Sequence, residues 1–207
     1  MSGIRRDAEE ISARFGIDLH NGLSKVVEKL NQEVVRGALA RYHALLQLLV
    51  AVDLHKKGFD VSVEEDLPTG FRADVHAEGP CCSVIAEIET GYVPQEWILR
   101  LEEYLAYRAA YKAAAYSADS DVFLLAMPSH TRAILPEPLL KPIEERSREE
   151  IALIKAMIAV YNKGQLQRIG WRAHLARIDA IAYVNIEDNE IEYVILNNKN
   201  PKLEVLA

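Results

Sequence analysis

The stretch "RADVHAEGPCCSVIAEIETGYVPQEW", residues 72–97, decides how this chain is read. "RADVHA" alternates apolar and polar residues up to the turn residues of "EGP", and "CSVIAEIE" is a second short run that ends at "TGYVP". The pattern predicts two antiparallel strands joined by a tight connection. Three acids interrupt them: Asp74 on the first, Glu87 and Glu89 on the second. Residues two apart on a strand point to one face, so Glu87 and Glu89 project together. If the turn sets Asp74 across from about Ile85, Asp74 joins that face, one cross-strand step from Glu87. A slip of one residue would separate them.

Three carboxylates about 5 Å apart repel by roughly 3 kcal/mol per pair at an effective dielectric of 20, so a fold that keeps them needs compensation. A divalent cation is the natural one. Oxygen-only ligands suit Mg²⁺ or Mn²⁺, and no Cys/His cluster has zinc spacing. The plainer alternative is a solvated strand face, since Glu64-Glu65-Asp66 shows that the chain carries acid elsewhere too.

Working outward, "FDVSVEEDL" (59–67) alternates and ends at "PTG", which adds a strand before the first two. "RGALARYHALLQLLVAVDLHKKG" (36–58) is apolar nearly all round and stops at a glycine behind two lysines, as a buried helix does. Two amphipathic helices precede it, one through Ile4, Ala8, Ile11 and Phe15, the other through Leu23, Val27, Leu30 and Val34. Downstream, Gln95 to Tyr116 reads as a helix, and "DVFLLAMP" (121–128) as a strand covered on both faces. The core order is therefore αβββαβ. After a proline-rich connection, a charged helix spans about 143–162. Two strands around Asp188-Asn189 then either extend the sheet or supply a contact for a homodimer.

With 207 residues, half of them hydrophobic, the chain can bury one sizeable core, and a single domain is expected. Its parts are an N-terminal helical segment (1–32), the core (33–128) and a C-terminal extension (129–207). The net charge of -7 argues against coating a polyanion through bulk positive charge, so any nucleic-acid contact must be local. No apolar run has membrane-spanning length and the N-terminus has no apolar signal region, so a cytoplasmic protein is expected. Cys81 and Cys82 are neighbours and read as reduced packing residues.

The helix, the three strands with Asp74 on the second and Glu87-x-Glu89 on the third, and the following helix and strand resemble the core of the PD-(D/E)XK nuclease superfamily. Asp74, twelve intervening residues and Glu87-x-Glu89 match the spacing of archaeal Holliday-junction resolvases within it. The resemblance covers about residues 33–128. It implies a restriction-endonuclease-like α/β fold, with a central mixed sheet flanked by helices. It also implies that Asp74 and Glu87 are catalytic metal ligands and that the Ile88 carbonyl is a backbone ligand to Mg²⁺ or Mn²⁺. Glu89 departs from the usual lysine, which orients the attacking water and offsets charge on the phosphate. As a glutamate it could act as general base or hold a second metal. The arrangement "RYHALLQ…GFDVSVEEDL…FRADV…IAEIETG" looks like the branch that includes CoiA-like competence proteins, where this position varies.

Accessory candidates follow. His43 and Gln47 are four apart on the apolar helix and share a face that could look toward the acids, though a lone core histidine is the commoner case. Glu65 could add an acid at the site edge. Arg100, Arg108 and Lys112 could replace the missing lysine or grip a phosphate, and Arg100, nearest the strand end, is the one chosen. Trp97, Tyr104, Tyr107 and Tyr111 could stack on bases or simply pack. Arg168, Arg172 and Arg177, with Lys141, Arg146 and Arg148, could form a phosphate track. The resulting expectation is a metal-dependent nuclease that hydrolyses phosphodiester bonds in nucleic acid, with DNA the expected polymer. The alternative is a catalytically inactive member that binds nucleic acid or a protein partner.

Overall fold

The computed structural model describes residues 3–16, 18, 22–197 and 199–206. Six strands, β1 (Asp60–Asp66), β2 (Arg72–Glu78), β3 (Ser83–Ile88), β4 (Val122–Pro128), β5 (Ala180–Asn185) and β6 (Glu190–Ile195), form one mixed sheet in chain order. β1, β2 and β3 are antiparallel, β3, β4 and β5 run parallel, and β6 returns antiparallel at the edge. Helices α1 (Ile4–Phe15), α2 (Ser24–Val35) and α3 (Arg41–Lys56) precede the sheet, and α4 (Leu101–Tyr116) links β3 to β4. α5 (Arg148–Tyr161) and α6 (Lys163–Ile169) link β4 to β5. The chain is thus an α/β protein with helices on both faces of its sheet.

β4 shows why. Every residue of "VFLLAMP" is buried, with Val122, Leu124 and Ala126 in the core beneath α1, α2 and α3, and Phe123, Leu125 and Met127 in the core beneath α4, α5 and α6. A strand with a helical layer on each side has no face left for polar side chains. α4 meets the second core through Ala109, Ala110, Ala113 and Ala114, whose small side chains bring the helix axis close to the sheet. That close approach lets the longer Lys112 among them reach the strands.

Some expectations shift at their edges. The helix expected from Arg36 starts at Arg41, because residues 36–40 close α2 instead. Gly37 there has a left-handed φ of 72° and donates to the Val34 carbonyl, while Ala38 donates to Glu33. The helix expected from Gln95 opens as a 3₁₀ turn (Gln95–Arg100) before α4. The charged helix starts at Arg148 rather than 143, behind a reciprocal cap in which Ser147 and Glu150 bond each other's backbone N–H. The C-terminal hairpin joins the core sheet, with β5 beside β4.

Half of the expected phosphate track is turned inward, while Arg148 and Arg168 stay exposed and Lys141 pairs with Glu150. Arg172 is buried against Asp119 at 2.8 Å, Arg177 holds Asp179 at 3.0 Å, and Arg146 donates to the Lys141 and Ala176 carbonyls. Guanidinium forks suit this use, since five fixed donors can satisfy several carbonyls where helices end. The aromatic row also packs on itself, with Trp97 against Tyr104 and Tyr107, and Tyr161 against Tyr104 and Tyr111. Both cysteines are free thiols. No helix among the described residues is long and apolar enough to cross a membrane.

Candidate active site

The sheet forks between β2 and β3. Their pairing runs from Glu78↔Ser83 to Val75↔Ala86 and stops there, while β1 stays with β2 to Arg72 and β3 stays with β4 to Ile88. This register corrects the sequence expectation: His76, not Asp74, lies across from Ile85, and Asp74 falls across from Glu87. The cause is the connection Gly79-Pro80-Cys81-Cys82, closed by the Glu78↔Ser83 pair and a Gly79 N–H to Cys82 carbonyl bond. A shift of two residues preserves the face, so the acids still meet.

Side chains replace the ladder in the fork. The Ile88 N–H donates to Asp74 Oδ2 at 2.7 Å, and the Asp74 N–H donates to Glu87 Oε1 at 3.0 Å. From α4, the Lys112 ammonium donates to the Ile88 carbonyl at 2.6 Å, and lies 3.4 Å from Glu87 Oε2 and 3.8 Å from Asp74 Oδ2. All backbone groups opened by the fork that lie at Asp74 N, Ile88 N and Ile88 O are thereby satisfied.

The other oxygen of Asp74 faces α3. His43 Nε2 lies 3.2 Å from Asp74 Oδ1, and Gln47 Nε2 donates to the same oxygen at 3.2 Å and to Glu64 Oε1 at 2.6 Å. Glu64 stands across from Asp74, between the Val63↔Val75 and Glu65↔Ala73 pairs, with a left-handed φ of 49°. That conformation is uncommon outside glycine, asparagine and aspartate.

The electrostatics separate the two strand acids. Burial, and then the charge of Asp74, push the Glu87 carboxyl up to about 8, against the opposing pull of Lys112. Burial alone would raise Asp74 as well, but Lys112, His43 and the Ile88 N–H outweigh it and leave Asp74 below the usual carboxylate range. Glu64 is raised by burial, reinforced by the charge of Asp74 and opposed by its bond from Gln47. Near neutral pH the fork therefore holds an ionised Asp74 beside a Glu87 that retains much of its proton.

The remaining candidates are placed as follows. Glu89 is buried and takes its own partners, Arg108 Nε at 2.9 Å and the Gly91 N–H at 3.0 Å. Glu65 turns to Ser62 and to His76 Nδ1 at 3.2 Å, so Glu64 is the β1 acid at the site. Arg100 is exposed, bonded to Glu103 at 2.9 Å and stacked over Trp97. Of the three α4-region cations, Arg108 meets Glu89, and Lys112 is the one the fold brings to Asp74 and Glu87. Its signal was in the sequence: a single lysine inside the alanine run "AAYKAAAY" on a helix that packs against a sheet implies a charge with a buried partner. Glu64 had no such signal, because its inward turn depends on one backbone dihedral.

An apolar cavity of about 270 Å³ opens beside Glu89, lined by Leu101, Leu105, Leu125, Met127 and Ile134, with Arg132 among its polar lining residues. Comparison of the chain with protein-family models, with curated proteins and with solved structures finds no match.

Proposed function

We propose that this protein is a metal-dependent nuclease of the restriction-endonuclease-like type, hydrolysing phosphodiester bonds in DNA at the β2–β3 fork with Mg²⁺ or Mn²⁺ as cofactor. One observation carries the reading: Lys112 arrives from α4 within 4 Å of both Asp74 and Glu87. Two acids and a lysine are the group that the resemblance asks for, although its usual lysine position holds Glu89. The cation has changed its place in the chain while the acids keep theirs.

The chemistry follows from the charges. Attack of water on phosphorus builds negative charge on the non-bridging oxygens and on the departing sugar oxygen, and fixed positive charge in a water-poor site stabilises both. Lys112 can offer that charge, with its direction set by the Ile88 carbonyl. A bound divalent ion would supply a further Lewis acid and a more acidic water. Asp74 faces both sides, one oxygen toward α3 and one toward Lys112, which suits it to align the two.

A second reading has its own support. Asp74, Glu87, Lys112 and the Ile88 backbone satisfy one another without any ligand, as they would in a scaffold that only binds nucleic acid or a protein partner. Labelled single-stranded, duplex, flap and four-way DNA, incubated with Mg²⁺ or Mn²⁺, separates the two. The nuclease reading expects metal-dependent cleavage that is lost in Asp74→Asn and falls at least about 100-fold in Lys112→Met, the size of effect seen when one transition-state donor is removed. Cleavage that survives both substitutions, or none from folded wild type on any substrate, would end it.

A further inference from the structure

The resemblance would place the metal ion among Asp74, Glu87 and the Ile88 carbonyl. In this chain that position already has a cation. The Lys112 ammonium lies 2.6 Å from the Ile88 carbonyl, 3.4 Å from Glu87 and 3.8 Å from Asp74 Oδ2. An ion entering there would have to expel a buried ammonium, which would lose the Ile88 carbonyl and both carboxylates as partners.

On the opposite side of Asp74 the situation is reversed. His43, Glu64 and Asp74 each offer one ligand atom, and these atoms lie within 4.8 Å of one another. Donors around one ion at about 2.1 Å are roughly 3 to 4.2 Å apart, so the three atoms have to draw in, by between several tenths of an ångström and about 1.8 Å for a pair at the full separation. Gln47 adds an independent sign. It is fully buried, its Nε2 sits between Glu64 and Asp74, and its Oε1 has no hydrogen-bond partner among the described residues. In the ion's absence the amide must point its nitrogen at two carboxylates, which strands its oxygen. A cation between those carboxylates reverses the preference, because the amide can then turn over and use the stranded oxygen as a ligand.

We propose that the divalent ion is held on the α3 side of Asp74, by His43 Nε2, Glu64 and Asp74 Oδ1 with the Gln47 carbonyl turned over to join them, while Lys112 stays at the fork. The assignment deepens the nuclease reading and rests on it for the use of the ion. Two carboxylates balance the charge of a divalent ion, with neutral imidazole and amide completing the set. An imidazole nitrogen also changes the ion's identity, since it favours Mn²⁺ or Zn²⁺ over Mg²⁺, which strongly prefers oxygen. The oxygen-only site inferred from the strand acids thus becomes a mixed nitrogen–oxygen site.

Mn²⁺ binding to the full chain, followed by electron paramagnetic resonance without nucleic acid, tests the placement. Expected are one tight Mn²⁺ per chain, spin-echo modulation from a directly bound imidazole ¹⁴N, and affinity reduced about tenfold or more in both Glu64→Gln and His43→Ala. Glu87→Gln should bind Mn²⁺ within about twofold of wild type, and His43→Ala should lose most of the preference for Mn²⁺ over Mg²⁺. Circular dichroism confirms that each variant is folded, and the ¹⁴N signal of wild type needs no variant at all. The proposal is overturned if wild type binds no Mn²⁺, if bound Mn²⁺ shows no nitrogen coupling, or if Glu87→Gln loses the ion while Glu64→Gln keeps it. That last result would leave the nuclease reading standing with the ion at the fork. Mn²⁺ bound as expected in a protein that cleaves nothing would uphold the site and remove the nuclease.

Discussion

Replacing Glu87 by glutamine should change how stability depends on pH, in a direction fixed by the fork. Burial beside Asp74 raises the Glu87 carboxyl from 4.5 to about 8 in the folded chain. The folded state therefore holds this proton more tightly than the unfolded one. The stabilisation is fully present below pH 4.5 and is lost as pH rises toward 8, at up to 1.36 kcal/mol for each pH unit. Across that window the loss amounts to about 5 kcal/mol as an upper limit, since relaxation of the fork and water entry would reduce it. Asp74, shifted the other way, contributes its stabilisation already above its ordinary range and adds no slope between pH 5 and 8. Glutamine can still accept the Asp74 N–H but carries no titrating proton. Urea unfolding in the presence of a chelator, at intervals from pH 5 to 9, should show Glu87→Gln gaining several kcal/mol on wild type toward the alkaline end and little or nothing at pH 5. Wild-type and variant midpoints that run parallel across the range would refute the protonated, buried Glu87.

Asp74→Ala should cost about 2 to 4 kcal/mol in metal-free urea unfolding, because it frees the Ile88 N–H, the His43 ring and the Lys112 ammonium together. Isolated strand acids would have given the opposite sign, through relief of repulsion. Asp179→Ala should cost about 3 to 5 kcal/mol in the same assay, since its fully buried carboxylate takes the Phe123 N–H, Arg177 and Asn197 at 2.8 to 3.0 Å. Arg108→Met should destabilise by about 1 to 3 kcal/mol and the double variant Arg108→Met/Glu89→Met by less, as expected for a largely buried ion pair whose members are costly mainly when separated. An additive double variant would show that Glu89 and Arg108 are not coupled.

The layers were legible in the amino-acid pattern. The all-apolar "VFLLAMP", the all-round apolar helix ending at Gly58 and the alternating runs on either side of "EGP" each admit few placements, because burial acts on periodicity and length over many residues at once. The shared face of Asp74 and Glu87 was only conditional there, since a slip of one residue would have parted them; the register of the β2–β3 pair settled it, being displaced by an even number of residues. The partners were decided only in three dimensions. Which α4-region cation meets the acids depends on where the helix axis crosses the sheet, and that is set by the alanines of α4 packing on β3 and β4. Whether Glu64 or Glu65 faces α3 rests on one left-handed residue in β1. The hairpin after Asp179 carries strand periodicity that any sheet edge would accept, and only the open edge of β4 selected it. Local pattern reports what a residue must bury, whereas the identity of its partner is a property of distances between elements that the pattern does not encode.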